Sequence, residues 1–259
     1  MRLPRPLVRW LHRGEARAFI LRYHQIAELD RDPHHLAVSP SLFDQHLAVL
    51  TQRWRPATLD SIVGGLRAGS VPDRTVALTF DDGYQDFFTA ALPLLRHHGV
   101  PATVFLVSDM LESRGEVWWD ELEPVRAAGQ PHEQRHGEAH LALSPEQVVS
   151  VGAEALIAIG AHTRSHPKLS QLTPEQRWNE IEGCKAPLEA VTGSEVSAFA
   201  YPFGAGLRSA ELVERAGFSS AVTTIEGPVF ARTNPFLLPR IKVGNWSGEA
   251  LSRVLEAWC

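Results

Sequence analysis

Residues 75–84 read T-V-A-L-T-F-D-D-G-Y: a run of strand-type residues, Thr75–Phe80, that stops on two aspartates and a glycine. β-Branched and aromatic side chains suit a pleated strand. The Asp-Asp-Gly that follows is turn chemistry, and Gly83 lets the chain bend sharply, so neighbouring aspartates need not point the same way. Working outward, the same pattern recurs. Ala18–His24 (AFILRYH), Ala102–Val107 (ATVFLV), Leu156–Ala161 (LIAIGA), Val196–Tyr201 (VSAFAY), Ser220–Thr224 and Leu238–Val243 read as further short strands. Helical stretches lie between them. Ser41–Arg53 carries Leu42, Phe43, Leu47 and Leu50 at helical spacing behind a serine cap, Ser39 or Ser41. Asp86–His98 follows the second strand, Thr173–Val191 opens on T-P-E, and Arg208–Ala216 stops at Gly217. Strands alternating with helices indicate an α/β fold with a mainly parallel sheet, and seven strands suggest a closed or nearly closed (β/α) barrel.

Composition narrows the class. The 259 residues are 44% hydrophobic and 21% charged, which is globular composition with ample material for one core. A net charge of −5 gives no reason to expect nucleic acid as a partner. Cys184 and Cys259 have no metal-type spacing and make no disulfide framework, which fits a reducing, cytoplasmic setting. The first residues contain no apolar leader, and no run approaches the length of a membrane span. Because the chain opens on Met1, an exported protein with its signal already trimmed is not expected. We divide the chain into a basic segment, 1–17, and one domain, 18–259, with a long polar excursion at about 108–145. That excursion holds Trp118 and Trp119 and a short helix at Asp120–Ala128. Arg2, Arg5, Arg9, Arg13, Arg17 and Arg22, relieved only by Glu15, would suit a solvated tail or peripheral contact with anionic lipid at the inner membrane face.

The reactive side chains fall at strand ends. Asp81 and Asp82 follow Thr75–Phe80, His162 follows Leu156–Ala161, Tyr201-Pro202-Phe203-Gly204 closes Val196–Tyr201, and His24 ends the first strand. In α/β barrels the C-terminal ends of strands converge on one rim, where active sites are built. His162 and His166, four apart in H-T-R-S-H, present two imidazoles to one point if a helical turn opens there. Two histidines and one carboxylate form a catalytic zinc set with a position left for water. The ion lowers the pKa of that water and polarises the carbonyl it attacks, and a second carboxylate takes the proton. Taken singly, each element has a bland reading: Asp-Asp-Gly as a turn, H-x-x-x-H as surface histidines, His24 as a core histidine. Their shared placement after apolar strands favours chemistry.

T-F-D-D-G, H-T-R-S-H and F-A-Y-P-F-G, in this order, resemble the polysaccharide deacetylases of carbohydrate esterase family 4, the NodB-homology domain, over roughly residues 18–245. The resemblance implies a deformed (β/α) barrel of about seven parallel strands. It also implies a divalent ion, most often Zn2+ with Co2+ or Ni2+ as alternatives, and hydrolysis of N-acetyl groups on amino sugars. By position, Asp81 would be the general base, Asp82, His162 and His166 the metal ligands, and Thr163 a support for the loop between the histidines.

Two departures from the family pattern stand out. Ser197 and Ala200 occupy places where the third motif commonly carries arginines, one of which braces the base. Arg240, in L-P-R-I, is our candidate replacement, its alternative being a core-edge arginine. The family's late histidine is missing too, since no histidine follows His166. The R-Y-H-Q-I at residues 22–26 resembles the circularly permuted branch that includes poly-N-acetylglucosamine deacetylases, and there the N-terminal histidine is the general acid, here His24. The backbone N–H of Tyr84 would help hold the oxyanion. The loop Tyr201-Pro202-Phe203-Gly204 and the pair Trp118–Trp119 would bind substrate, with Phe203 the residue most easily explained as ordinary packing. The expected function is an N-deacetylase acting on a sugar of a polysaccharide, lipopolysaccharide or lipid-linked glycan precursor. A deacylase of a non-sugar amide or cyclic ureide, or a silent carbohydrate-binding homologue, are the alternatives.

Overall fold

A computed structural model describes residues 14–111, 141–204 and 208–259. The strands are β1 (Ala18–Tyr23), β2 (Gln25–Ile26), β3 (Ala37–Val38), β4 (Arg55–Pro56), β5 (Thr75–Phe80), β6 (Ala102–Leu106), β7 (Ile157–Ala161), β8 (Ala198–Ala200), β9 (Ser220–Val222) and β10 (Ile241–Lys242). The helices are α1 (Pro40–Arg53), α2 (Leu59–Arg67), α3 (Leu92–His98), α4 (Pro145–Gly152), α5 (Pro174–Glu182), α6 (Lys185–Thr192), α7 (Ala210–Arg215) and α8 (Gly248–Glu256). All seven expected strands are present. They form one parallel sheet in the order β10-β1-β5-β6-β7-β8-β9, with β4 paired onto β5 and β2–β3 a small separate pair. The sheet curls. Leu238 exchanges backbone hydrogen bonds with Ala221 and Thr223 at the β9 end, and Ile241–Lys242 pairs with β1 at the other, so one short segment meets both ends. This is the deformed barrel the sequence implied.

Period two along each strand separates two layers of core. Phe19, Leu21, Tyr23, Val76, Leu78, Phe80, Val104, Leu106, Phe199 and Tyr201 belong to the cluster shared with the helices. Ala18, Ile20, Ala77, Phe105, Ala198, Ala200, Val222 and Leu238 form the inner cluster, against which Ile62 and Leu66 of α2 pack. The inner residues are mostly small because Phe105 fills the middle. A Cβ on Gly160 would stand 2.4 Å from the Phe105 ring, which is why β7 carries glycine there.

Several helices differ from the sequence expectation. The stretch expected as one helix over Asp86–His98 is a π turn, Phe87–Ala91, running into α3. Pro93 sits in the first turn of α3 and has no N–H to give the preceding turn, so the register widens there. Thr173–Val191 is two helices, α5 and α6, divided at Gly183–Cys184. A Cβ at 183 would lie 2.7 Å from both Arg164 Cδ and Asn179 O. Helices α2, α4 and α8 were not anticipated. The basic N-terminal stretch needs correcting as well. Arg17 is buried, donates to Trp258 O at 2.5 Å and lies over the Phe230 ring, and Arg22 is on β1. Neither belongs to a solvated tail; Arg2, Arg5, Arg9 and Arg13 lie outside the described residues. Among the described residues no helix is long and apolar enough to cross a membrane.

Candidate active site

The inner register of each strand, continued past its end, delivers the polar groups. Ala77 and Thr79 lead to Asp81, Gly160 to His162, Leu238 to Arg240, and Ile20 and Arg22 to His24. By the same alternation Asp82 would face the helices. It does not, because its own backbone is left-handed (φ 74°), as is that of Gly83 (φ 71°). The reversal therefore begins one residue earlier than the glycine, and a non-glycine held at positive φ is the kind of strain found at functional sites. A Cβ on Gly83 would also stand 2.6 Å from Leu106 Cδ2, so the leucine side chain would have to turn to admit one.

Asp82 Oδ1 lies 3.4 Å from His162 Nε2 and 3.2 Å from His166 Nε2, and all three side chains are buried. Ligands 2.0–2.2 Å from a tetrahedral ion stand roughly 3.3–3.6 Å from one another, so the observed spacing suits one shared cation. The His162 Nδ1–H donates to Ala200 O at 2.8 Å, which leaves Nε2 with its lone pair facing Asp82. Asp82 Oδ1 is buried and accepts no well-aligned hydrogen bond among the described residues. Three electron-rich atoms converging in a dry place call for a positive charge between them. His166 opens no helix, contrary to one premise of the sequence reading: it and Thr163 are both left-handed (φ 60° and 66°). Thr163 instead braces the loop, its Oγ1 accepting from His166 N at 3.0 Å.

Asp81 faces a different partner. Arg240, itself 1% exposed, donates from Nη1 to Oδ1 at 2.6 Å and from Nη2 to Oδ2 at 2.7 Å. Its remaining hydrogen bonds, to Thr223 O (2.9 Å) and Thr79 Oγ1 (3.1 Å), fix the guanidinium plane. Thr79, two residues before Asp81 on the same face, was missed by sequence reading, although the two-residue period could have found it. His24 Nε2 is 3.9 Å from Asp81 Oδ2. Burial alone would raise the Asp81 carboxyl, but the Arg240 guanidinium outweighs it and brings it down to about 2. Burial opposes ionisation of Asp82 as well, yet His162 and His166 hold it well below the usual carboxylate range. Burial lowers His166, and lowers His24 to about 4 against the pull of Asp82 and Asp81. His162 is raised, because Asp82 and Asp81 overcome its burial. Arg22 joins the inner wall, lowered to about 10 by burial and by Arg240.

The expected substrate contacts sort unevenly. Tyr201 is corrected: its ring is 1% exposed, packs on Phe199 and sends its hydroxyl to Phe236 O, so it offers no face to a sugar. It follows the outward register of β8, and that placed it in the helix-side core. Pro202 is buried as well. Phe203 reverses its expectation of ordinary packing. At 51% exposed and φ 57°, it stands at the mouth with its ring 4.7 Å from that of His166 and Lys168 Nζ above it. Gly204 follows with φ 144°. The Tyr84 side chain is buried, while its N–H donates to no backbone carbonyl among the described residues. Trp118, Trp119 and the expected helix at Asp120–Ala128 lie outside the described residues.

Comparison with known proteins agrees with this geometry. The polysaccharide deacetylase family profile matches residues 68–221, more than half of the chain. YxkH of Bacillus subtilis (strain 168) is 26% identical over 187 residues, 71% of this chain and 57% of that protein. The poly-beta-1,6-N-acetyl-D-glucosamine N-deacetylase of Escherichia coli (strain K12) is 31% identical over 96 residues, 36% of this chain. The matches thus span 57% and 14% of these relatives' own lengths. Among solved structures, the Streptococcus pyogenes deacetylase PplD superposes with a TM-score of 0.75 at 24% identity, covering 93% of this chain and 98% of that one. IcaB from Ammonifex degensii gives 0.73 at 21% identity, over 95% and 97%. Those two likenesses speak for the fold; the profile speaks for the lineage. The curled parallel sheet, the Asp-Asp-Gly reversal and the histidine loop are accordingly those of a chain that belongs to the polysaccharide deacetylase family.

Proposed function

We propose that this protein is a metal-dependent hydrolase that removes N-acetyl groups from an amino sugar of a glycan, such as a polysaccharide, lipopolysaccharide or lipid-linked precursor. The observation that carries the reading is the division of labour between adjacent aspartates. Asp82 turns to two imidazoles at ligand spacing, and Asp81 is held apart in the Arg240 fork. Asp82, His162 and His166 would hold the ion, with Zn2+ favoured by two nitrogen donors and one oxygen. When bound, such an ion supplies a water of lowered pKa and polarises the acyl carbonyl.

The chain's own groups do the rest. Asp81, ionised because Arg240 stabilises its charged form, accepts the proton of the attacking water. Arg240 also fixes the carboxylate's plane, and each oxygen keeps a second lone pair that the guanidinium does not use. The Tyr84 N–H, which donates to no backbone carbonyl among the described residues, would donate to the developing oxyanion. His24, its basicity lowered by burial and its Nε2 3.9 Å from Asp81 Oδ2, would receive the proton that Asp81 takes from the water and pass it to the departing amine nitrogen. Phe203 supplies an exposed apolar face beside His166, suited to the ring of a sugar. The basic residues at the extreme N-terminus would hold the enzyme to anionic lipid on the cytoplasmic side.

The test is acetate release from β-1,4- and β-1,6-linked N-acetylglucosamine oligomers. Release should vanish with a chelator and return with zinc. Release that persists after complete chelation would overturn the metal assignment. Release from non-sugar amides alone would overturn the substrate class, and none from any N-acetylated glycan would favour a silent homologue.

A further inference from the structure

The loop that joins the two ligating histidines hangs between two neighbours. On one side the segment after β6 takes up its carbonyls: Ser108 N donates to Thr163 O at 3.2 Å and Asp109 N to Arg164 O at 2.9 Å. On the other side a single carboxylate takes up its donors. Glu180, on α5, accepts from Arg164 N (3.0 Å) and Ser165 N (2.9 Å) at Oε2, and from Ser165 Oγ (2.7 Å) at Oε1. The loop needs such a grip, since Thr163 and His166 are both held left-handed without being glycine. Hydrogen bonds to an ionised carboxylate are shorter and stronger than neutral ones, and three converge here. Space has been cleared for the arrangement. A Cβ on Gly183, three residues after Glu180, would collide with the Arg164 side chain, which reaches instead to Asp109 Oδ1 at 3.3 Å.

We propose that Glu180 is a positioning residue for the metal site: its carboxylate locks the 162–166 loop so that both imidazoles meet Asp82, and so sets the affinity for the ion. The inference rests on the metal reading above. Glu180 touches neither the ion nor the substrate. Its effect passes through the backbone of Arg164 and Ser165, the middle of the span between the ligands.

The experiment measures Zn2+ affinity by competition with a chromophoric chelator, and the visible spectrum of the Co2+-loaded chain, for the unaltered protein and two variants. Glu180→Ala should weaken Zn2+ binding about 10- to 100-fold and shift the Co2+ bands. Glu180→Gln, which keeps an acceptor oxygen, should recover part of the affinity while the metal-free chain unfolds at an unchanged denaturant midpoint. If Glu180→Ala does not fold, Ser165→Ala in its place removes only the hydroxyl contact and should give a smaller loss in the same direction. Affinity and spectrum within twofold of the unaltered protein in both folded variants would overturn the proposal. Failure of the unaltered chain to bind either ion would overturn the metal reading and this inference with it, a result visible before any variant is measured.

Discussion

A single guanidinium decides how Asp81 behaves. Arg240 and Asp81 are both buried and joined by two short hydrogen bonds, so removing one member strands the other's charge in the barrel. Arg240→Ala should cost about 3–5 kcal/mol in denaturant unfolding. Arg240→Lys should restore little, because an ammonium lacks the planar fork that meets both carboxylate oxygens. The pH dependence has a definite sign. Asp81 is held at about 2 when folded, below an ordinary aspartate near 3.9 when unfolded. The pair's contribution is therefore complete above about pH 4 and fades as pH falls towards 2. In chemistry the aspartates should separate cleanly. Asp81→Asn should bind zinc normally and lose about 10²–10⁴-fold in kcat, whereas His162→Ala should lose zinc and turnover together. Near-native turnover by Asp81→Asn would sink the base assignment.

Individual strands show what the sequence displays and what it hides. The strands were legible because each is a short apolar run bounded by turn residues, and the reactive groups because they sit at the ends of those runs. Arg240 was legible as a candidate because it lies in a late strand-like run, Leu238–Val243, while the third motif lacks its usual arginines. Less visible were features set by the third dimension. Nothing local marks Tyr201 as a core ring and Phe203 as the exposed one; only the outward register of β8 and the positive φ of Phe203 separate them. Helix α2 was hidden by Gly64 and Gly65, which lower helix propensity, and is held by the Thr58 cap and by its buried face. Gly160 is such a case turned into a prediction. Its replacement by alanine would push a methyl into the Phe105 ring and should cost about 1–3 kcal/mol in thermal or denaturant unfolding. Adding Phe105→Leu should return part of that loss, as coupled neighbours do. Purely additive losses would show that the two positions do not share the inner space.

Across the whole molecule, an ion bound only by the folded state would act as a ligand of folding. At about a thousand times its Kd, zinc should stabilise the protein by roughly 4 kcal/mol, and a chelator should remove that increment. A melting temperature indifferent to both would contradict a site built from three buried side chains. The placement of the three groups would make such linkage strong, since Asp82 follows β5 while His162 and His166 follow β7, with β6 between them in the sheet. Holding them together holds the middle of the barrel together.

The segment from Leu238 to Lys242 reaches β9 on one side and β1 on the other, and Arg240 is its midpoint. It follows Asp81, Asp82, His162 and His166 in the chain. As the chain is made from its N-terminal side, Asp82, His162 and His166 come before Arg240, and Asp81 gains the guanidinium fork that holds it only when this segment has closed onto β9 and β1. On the proposed reading, an oriented Asp81 and a closed tertiary architecture would thus arrive in one stroke, leaving little room for a half-built yet active hydrolase.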